Sequence, residues 1–207
     1  MQLINKTSIK KTFFHTWYLY PILAVILTLL WLWLFPTFHQ PTTHQKINVF
    51  FATEVKSGAF TKSIEKQYER EKLRQVDYSY CLPTSIGFPN KLQIGINKAD
   101  ILILDETTMS SFNGHQENFF VEITSFIKDN YLEGGENFYT DNEKDYGILL
   151  KQKDADYWLK QYMDFDETRD YYLALSIGSK NLGSISGEDN KDYDNALTII
   201  KYLLKEH

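Results

Sequence analysis

Hydrophobic and polar positions divide the chain into two unequal parts. No Lys, Arg, Asp or Glu occurs between Lys11 and Lys46, and the centre of that interval reads Pro21-Ile22-Leu23-Ala24-Val25-Ile26-Leu27-Thr28-Leu29-Leu30-Trp31-Leu32-Trp33-Leu34-Phe35. Roughly 20 apolar residues, rising about 1.5 Å each in a helix, cover the ~30 Å hydrocarbon core of a bilayer. The pattern predicts a transmembrane helix over residues 17–35. Trp17, Tyr18 and Tyr20 at one end, and Trp31 and Trp33 at the other, suit the headgroup interfaces. A cleaved signal peptide would have a shorter apolar region ending in a small-x-small site, whereas Leu32-Trp33-Leu34-Phe35-Pro36 is bulky throughout, so an uncleaved anchor is favoured. The single cysteine, Cys81, lies far downstream and rules out a lipoprotein-type anchor.

After a polar linker over residues 36–46 the periodicity changes. Residues 47–53, Ile-Asn-Val-Phe-Phe-Ala-Thr, form a short apolar run suited to a strand buried on both faces. Phe60, Ile64 and Tyr68 then repeat every four residues among charged neighbours, as in an amphipathic helix, with Ser57 as N-cap. Strands are predicted over 76–82 and 99–105. The intervening residues 86–98 are ambiguous, because Gly87, Pro89 and Gly95 interrupt the spacing of Leu92 and Ile96. The order is that of a β-α-β-α-β unit with a parallel sheet. Further on, the pattern predicts a helix over 119–127, a hairpin from 138–140 and 146–150 around a polar turn, a strand over 171–177 and a closing helix over 193–205. Residues 1–16 are then a cytoplasmic segment, and 47–207 form one three-layer α/β domain with a mostly parallel sheet.

Charge sets the sidedness. Lys6, Lys10 and Lys11 precede the span without an acidic residue, which places the N-terminus in the cytoplasm and the domain outside the cell membrane. All 27 acidic residues and all but three of the 22 basic ones lie from Lys46 onward. That acidic balance disfavours phosphate backbones, so no nucleic-acid partner is expected. One cysteine precludes an internal disulfide framework and suits a small buried hydrophobe.

Ligands of open parallel sheets bind beyond the carboxyl ends of the strands. Those ends supply Thr53, Glu54, Thr84, Ser85, Asp105, Glu106 and Thr107, with Tyr146 nearby, as the candidate binding rim; their alternative role is ordinary capping and turn closure. Catalytic patterns are weak. There is no Gly-x-Ser-x-Gly elbow, no His-Glu-x-x-His and no glycine-rich phosphate loop. Asp141-x-Glu143-x-Asp145 resembles the start of a calcium loop, but Tyr146 replaces the required glycine and Gln152 the bidentate glutamate; Asp189 to Asp194 fails similarly. His39 and His44 lack interleaved metal ligands. No metal, cofactor or enzymatic activity is expected.

Lys46-Ile47-Asn48-Val49-Phe50-Phe51, Val76-Asp77-Tyr78 and above all Ala99-Asp100-Ile101-Leu102-Ile103-Leu104 resemble the opening lobe of extracellular solute-binding proteins of ABC importers. Phe119 to Thr124, Asp145-Tyr146-Gly147-Ile148 and Ala196 to Leu204 are similar to later segments of the same lobe. The resemblance implies recognition of a small solute or assistance to an importer permease. The chain departs from the family in lacking nearly all of a second lobe and in being helix-anchored. The alternative is an interaction or scaffold subunit of a membrane complex, docking on a transporter or another envelope protein without a small-molecule pocket.

Overall fold

The computed structural model describes residues 17–68, 73–186 and 194–204. The lysines that precede the span, the charged residues Glu69 and Arg70, most of the acidic run from Asp189, and Tyr193 and Lys205 at the ends of the last predicted helix lie outside these residues. The chain divides into two compact units, residues 1–40 and 41–207.

The first unit contains helix α1, Leu19–His39. It is apolar on all sides and exposed all round, and its stretch Leu19–Phe38 is long and apolar enough to cross a bilayer. Its hydroxyls turn inward: Thr28 Oγ1 donates to the Ala24 carbonyl at 2.8 Å and Thr37 Oγ1 to Trp33 at 3.2 Å. Both hydroxyls are thereby satisfied within the helix itself. The helix runs past the predicted end at Phe35. Pro36 forfeits one backbone bond, but Gln40 N–H closes on the Pro36 carbonyl at 2.9 Å, so the first residues assigned to the linker are helical.

The second unit opens with a 3-10 turn, Thr43–Gln45, held by a Thr42/Gln45 capping box. It continues through β1 (Lys46–Phe51), β2 (Glu54–Val55), α2 (Ala59–Gln67), β3 (Gln75–Tyr80), α3 (Phe88–Lys98), β4 (Ile101–Asp105) and α4 (Glu106–Ser110). Then follow α5 (Ser125–Tyr131), β5 (Phe138–Asp141), β6 (Lys144–Lys151), β7 (Met163–Asp164), β8 (Tyr171–Leu175), α6 (Gly183–Ser186) and α7 (Asn195–Leu204). Six strands form one sheet in the order β3-β1-β4-β8-β6-β5. β1 pairs parallel with β3 and β4, while β8 is antiparallel to both β4 and β6, and β5 to β6. The sheet is therefore mixed: β1, β3, β4 and β6 share one direction, and β8 and β5 oppose them.

Strand alternation sends side chains to two cores. Ile47, Val49, Phe51, Ile101, Ile103, Leu173 and Leu175 meet α2 and α7 on one face; Phe50, Leu102, Leu104 and Ala174 meet α3 on the other. Because β1 leads to β3 over one face and β3 leads to β4 over the other, the order reverses between β1 and β4. That makes their carboxyl ends the switch point of the sheet.

Three sequence expectations change in this unit. Within the ambiguous stretch 86–98, Phe88–Lys98 form a helix, because Pro89 falls in its first turn, where an N–H needs no partner, and Gly95 lets the helix lie against Phe50. The helix predicted over 119–127 begins instead at Ser125. Val121 N–H bonds the Leu175 carbonyl at 2.9 Å and Ile123 N–H bonds Asp145 at 2.7 Å, so residues 120–123 extend along β8 and β6. The Phe119 and Phe120 rings pack on Phe112 at 4.9 and 5.3 Å. The 138–150 hairpin forms as expected, with Asn142 and Glu143 at φ 50 and 65° in its turn. Its two aspartates are spent on the chain: Asp141 accepts from Gly114 N–H, and Asp145 from Lys128 and Thr140. Ser57, expected as the N-cap of α2, accepts from Ala59 N–H, and Gly58 takes the cap position.

A Cβ on Gly95 would lie 2.5 Å from Phe50 Cδ2. Overpacking costs about 1–3 kcal/mol and the helix gains up to about 1 from alanine, so Gly95→Ala is expected to destabilise by about 1–2 kcal/mol in denaturant unfolding. Phe50→Leu in the same chain should recover part of that loss, and strict additivity of the two would contradict the contact.

Two partly buried phenols give an alkaline signature. Burial pushes Tyr68 up to about 12, aided by neighbouring Tyr202, and its hydroxyl donates to the Thr198 carbonyl at 3.0 Å. Burial and the Asp194 carboxylate push Tyr131 to about 12 as well. A phenol raised on folding stabilises fully below its unfolded value of about 10 and loses that contribution as pH climbs to the folded value. Unfolding midpoints are expected to fall between pH 10 and 12, with late phenolate absorbance from these two rings; Tyr68→Phe should remove one late phase.

Candidate functional site

The carboxyl ends of β1 and β4 are roofed by the segment between β7 and β8. Thr53, buried just beyond β1, donates through Oγ1 to the Asp164 carbonyl at 2.5 Å. β2 pairs antiparallel with β7, and Lys56 and Ser57 N–H both donate to the Tyr162 carbonyl. At the end of β4, Asp105 is wholly buried. One of its oxygens accepts from the Thr108 hydroxyl and the other from the Arg169 guanidinium. Arg169 also reaches Asp166 through Nε at 3.3 Å, and the Glu106 N–H bonds the Asp170 carbonyl at 3.0 Å.

Lys151 holds this roof from beneath. Its buried ammonium donates to the carbonyls of Gln152, Asp166 and Arg169 at 3.2–3.3 Å and lies 5.8 Å from the Tyr171 ring. Burial pulls its pKa down, against the opposing pull of the carboxylates of Asp170, Asp154, Asp166 and Glu167. Arg169 is pushed up by its hydrogen bond to Asp105. Asp166 is held below the usual carboxylate range by the side-chain and backbone hydrogen bonds of Thr168.

Two clefts open beside the roof. The larger, about 580 Å³, runs between α3 and α4; Phe88, Leu92, Ile96, Phe112 and Phe119 give it an apolar wall, and Asp105, Thr107 and Arg169 close its polar end. The smaller, about 240 Å³, is lined by Thr53, Thr84, Asp164 and Asp166 among others. Pro83 and Arg169 border both. A third depression of about 630 Å³, at Lys151, Trp158 and Leu204, lies on the other face of the sheet.

No protein-family model, curated protein or solved structure matches the chain.

The structure gathers most of the residues predicted for the rim at one edge and engages the side chains of Thr53, Ser85 and Asp105 in hydrogen bonds within the chain. Thr53, Thr84, Asp105 and Thr107 line the two clefts. Ser85 turns back on the chain, donating to the Leu82 carbonyl at 2.5 Å, with Cys81 Sγ 3.2 Å away. Glu54 and Glu106 are exposed at the same edge. Tyr146 does not join them. β6 runs in the direction of β4, and Gly147 is level with Ala174 and, through it, Leu102; Tyr146 therefore lies buried near the amino end of the sheet. It is Lys151, at the opposite end of β6, that reaches the switch-point edge.

Arg169 is the residue that periodicity missed. It is the sole base in Asp164-Phe165-Asp166-Glu167-Thr168-Arg169-Asp170, directly before an apolar strand, and that isolation is the available signal. Chemically the site offers an apolar wall ending in an internally neutralised ion pair. No histidine lines either cleft, and no group of three or more metal-ligating side chains occurs among the described residues. Such a surface suits holding a molecule by burial and a few hydrogen bonds.

Removing one partner of a buried ion pair costs roughly 3–5 kcal/mol when both are fully enclosed. The Arg169 side chain is 36% exposed, so water partly compensates. Arg169→Met is therefore expected to cost roughly 2 kcal/mol in urea unfolding. Adding Asp105→Asn should restore at least half; an unchanged deficit in the double variant would show that the pair is not the source.

Proposed function

We propose that the chain is a membrane-anchored, non-enzymatic binding protein of solute-binding-protein-like build. In this reading α1 crosses the cell membrane with its N-terminus in the cytoplasm, and the α/β domain works outside it, recognising a small solute or assisting an ABC importer. The observation that carries the reading is the cleft of about 580 Å³ beside the β1/β4 switch point. Its size falls within the ~300–1,000 Å³ of small-molecule sites, and its apolar wall with a few convergent polar groups is their usual composition. The wall encloses a ligand from one side. A single lobe therefore gives modest affinity, and tethering to the membrane raises the effective concentration near any membrane partner that completes the enclosure.

A second reading, an interaction or scaffold subunit, is favoured by the surface next to the cleft. Ile86 is fully exposed, and Tyr80 and Leu82 retain about two-fifths of their exposure. These residues run from edge strand β3 toward Pro83, so a partner's apolar side chains could cover them and enter the cleft together.

The two are separated with the full chain in lipid nanodiscs, by thermal unfolding against sugars, amino acids, short peptides and apolar amphiphiles. A solute at 100 times its Kd adds about 2.7 kcal/mol, which raises the midpoint by roughly 5–10 °C. Photo-crosslinking from position 86 in the native membrane reads the other outcome. A midpoint shift without crosslinks supports the solute; crosslinks to one partner with no shift in any pool support the scaffold and remove the solute reading.

A further inference from the structure

The larger cleft carries charge at one end only, and that charge is already paired. Among the described residues, Asp105 and Arg169 are its sole ionised lining groups. Asp105 is wholly buried, and its two oxygens accept from Thr108 and Arg169. Arg169 also bonds one Asp166 oxygen through Nε at 3.3 Å, and the other accepts from the Thr168 N–H and hydroxyl at 2.9 and 2.7 Å. Beneath the same roof the Lys151 ammonium donates to three backbone carbonyls and faces the carboxylates of Asp170, Asp154, Asp166 and Glu167. Neither Asp105 nor Asp166 offers an unbonded oxygen to a cation, and each cation here is already opposed by carboxylates. The uncharged polar groups differ. Thr107 at the same end, and Gln93 and Asn97 one turn apart on the exposed lip of α3, make no side-chain hydrogen bond among the described residues. They run beside Phe88, Leu92 and Ile96, which form the adjacent stripe of the helix and the apolar wall.

We infer that the larger cleft takes an uncharged ligand, an apolar aromatic or aliphatic body against α3 with a neutral amide or carbonyl head, and rejects charge of either sign. The inference rests on the proposed role of this cleft as a ligand site. An ammonium head would lose its hydration beside the Arg169 charge, with no unpaired carboxylate in the lining to replace it. A carboxylate head would have to draw Arg169 from Asp105, leaving a wholly buried carboxylate unpaired. A sugar would leave most of its hydroxyls unbonded against Phe88, Leu92 and Ile96. A neutral head displaces nothing. Its oxygen accepts from the Thr107 hydroxyl or from the guanidinium N–H groups of Arg169 that Asp105 and Asp166 do not use, and the Gln93 and Asn97 amides offer donors and acceptors along the lip.

Three probes of one shape, 4-phenylbutanamide, 4-phenylbutyrate and 4-phenylbutylamine, test this at neutral pH with the full chain in nanodiscs. Saturable protection of residues 88–98 and 105–111 in hydrogen exchange reads site occupancy on the protein itself, and empty nanodiscs give each probe's free concentration. The amide is expected to bind roughly tenfold tighter than either ion. Asp105→Asn removes the opposing carboxylate and keeps Arg169, so the carboxylate probe should gain roughly tenfold relative to the amide. Gln93→Trp, at the exposed lip, should abolish protection by the amide while the circular dichroism spectrum is retained. Binding of either ion as tightly as the amide by the unaltered chain would overturn the neutral head and leave the cleft as a ligand site. An unchanged ratio of amide to carboxylate in a folded Asp105→Asn chain would overturn the ion pair as the origin of charge rejection. Absence of protection by every probe would remove the ligand site itself.

Discussion

Two buried aspartates bracket β4, and most of the α/β domain is arranged around satisfying them. Asp100 precedes the strand and Asp105 ends it; between them Ile101, Leu102, Ile103 and Leu104 are wholly buried. A carboxylate enclosed this way must be hydrogen-bonded or paired. Asp100 accepts from Asn48 N–H at 2.8 Å, Ser179 Oγ at 2.6 Å and Asn181 Nδ2 at 2.9 Å. Asp105 accepts from Thr108 and Arg169. Arg169 lies just before β8, and Ser179 and Asn181 just after it. The two aspartates therefore clamp both flanks of β8 and hold it antiparallel to β4, with Asp105 opposite Tyr171 and Ile101 opposite Leu175. A slip by one residue would turn the core-facing side of β8 around and unpair a carboxylate at one end. These polar groups contribute more to register than to net stability, which comes from the two apolar cores.

The same clamp explains why the binding edge is partly roofed. To bring Arg169 to Asp105, the chain must cross the end of the sheet from β7, where the Tyr162 and Asp164 carbonyls take up the backbone N–H groups of Lys56 and Ser57 and the Thr53 hydroxyl. What stays open is the lateral cleft against α3, where apolar side chains have no backbone partner to cover them. The polar groups at this edge thus serve the fold first, and the apolar wall is the surface left open.

Strands such as β1 and β4 were legible because a run of β-branched and aromatic residues buried on both faces has few other uses. The hairpin was legible from its turn. β8's antiparallel insertion was not, since a run such as Tyr171-Tyr172-Leu173-Ala174-Leu175 specifies a buried strand without a direction; direction came from polar residues at both flanks whose partners lie 64 to 81 residues away in sequence. Pattern also misled over 119–127, where Phe119, Ile123 and Phe126 have helical spacing but the unpaired groups of β8 and β6 capture the backbone first. Of the site, the strand-end threonines and Asp105 followed from topology. Arg169 and the wall of α3 did not, because Gly87, Pro89 and Gly95 obscured the helix and a loop arginine has no periodicity.

The geometry of the cleft bears on why such a domain would be tied to a membrane. An apolar wall covered from one side recovers only part of a ligand's burial, at about 25 cal/mol per Å² removed from water, and must still offset the entropy lost on association. A freely diffusing single lobe with this surface would bind weakly. On the proposed reading, a helix such as α1, long and apolar enough to lie in a bilayer, changes the comparison. It would confine the search to the membrane surface, where a second protein could supply the missing wall without a bimolecular encounter from solution. Weak enclosure and membrane attachment would then be one solution: a surface inadequate in dilute solution would become useful at the effective concentrations found beside a bilayer.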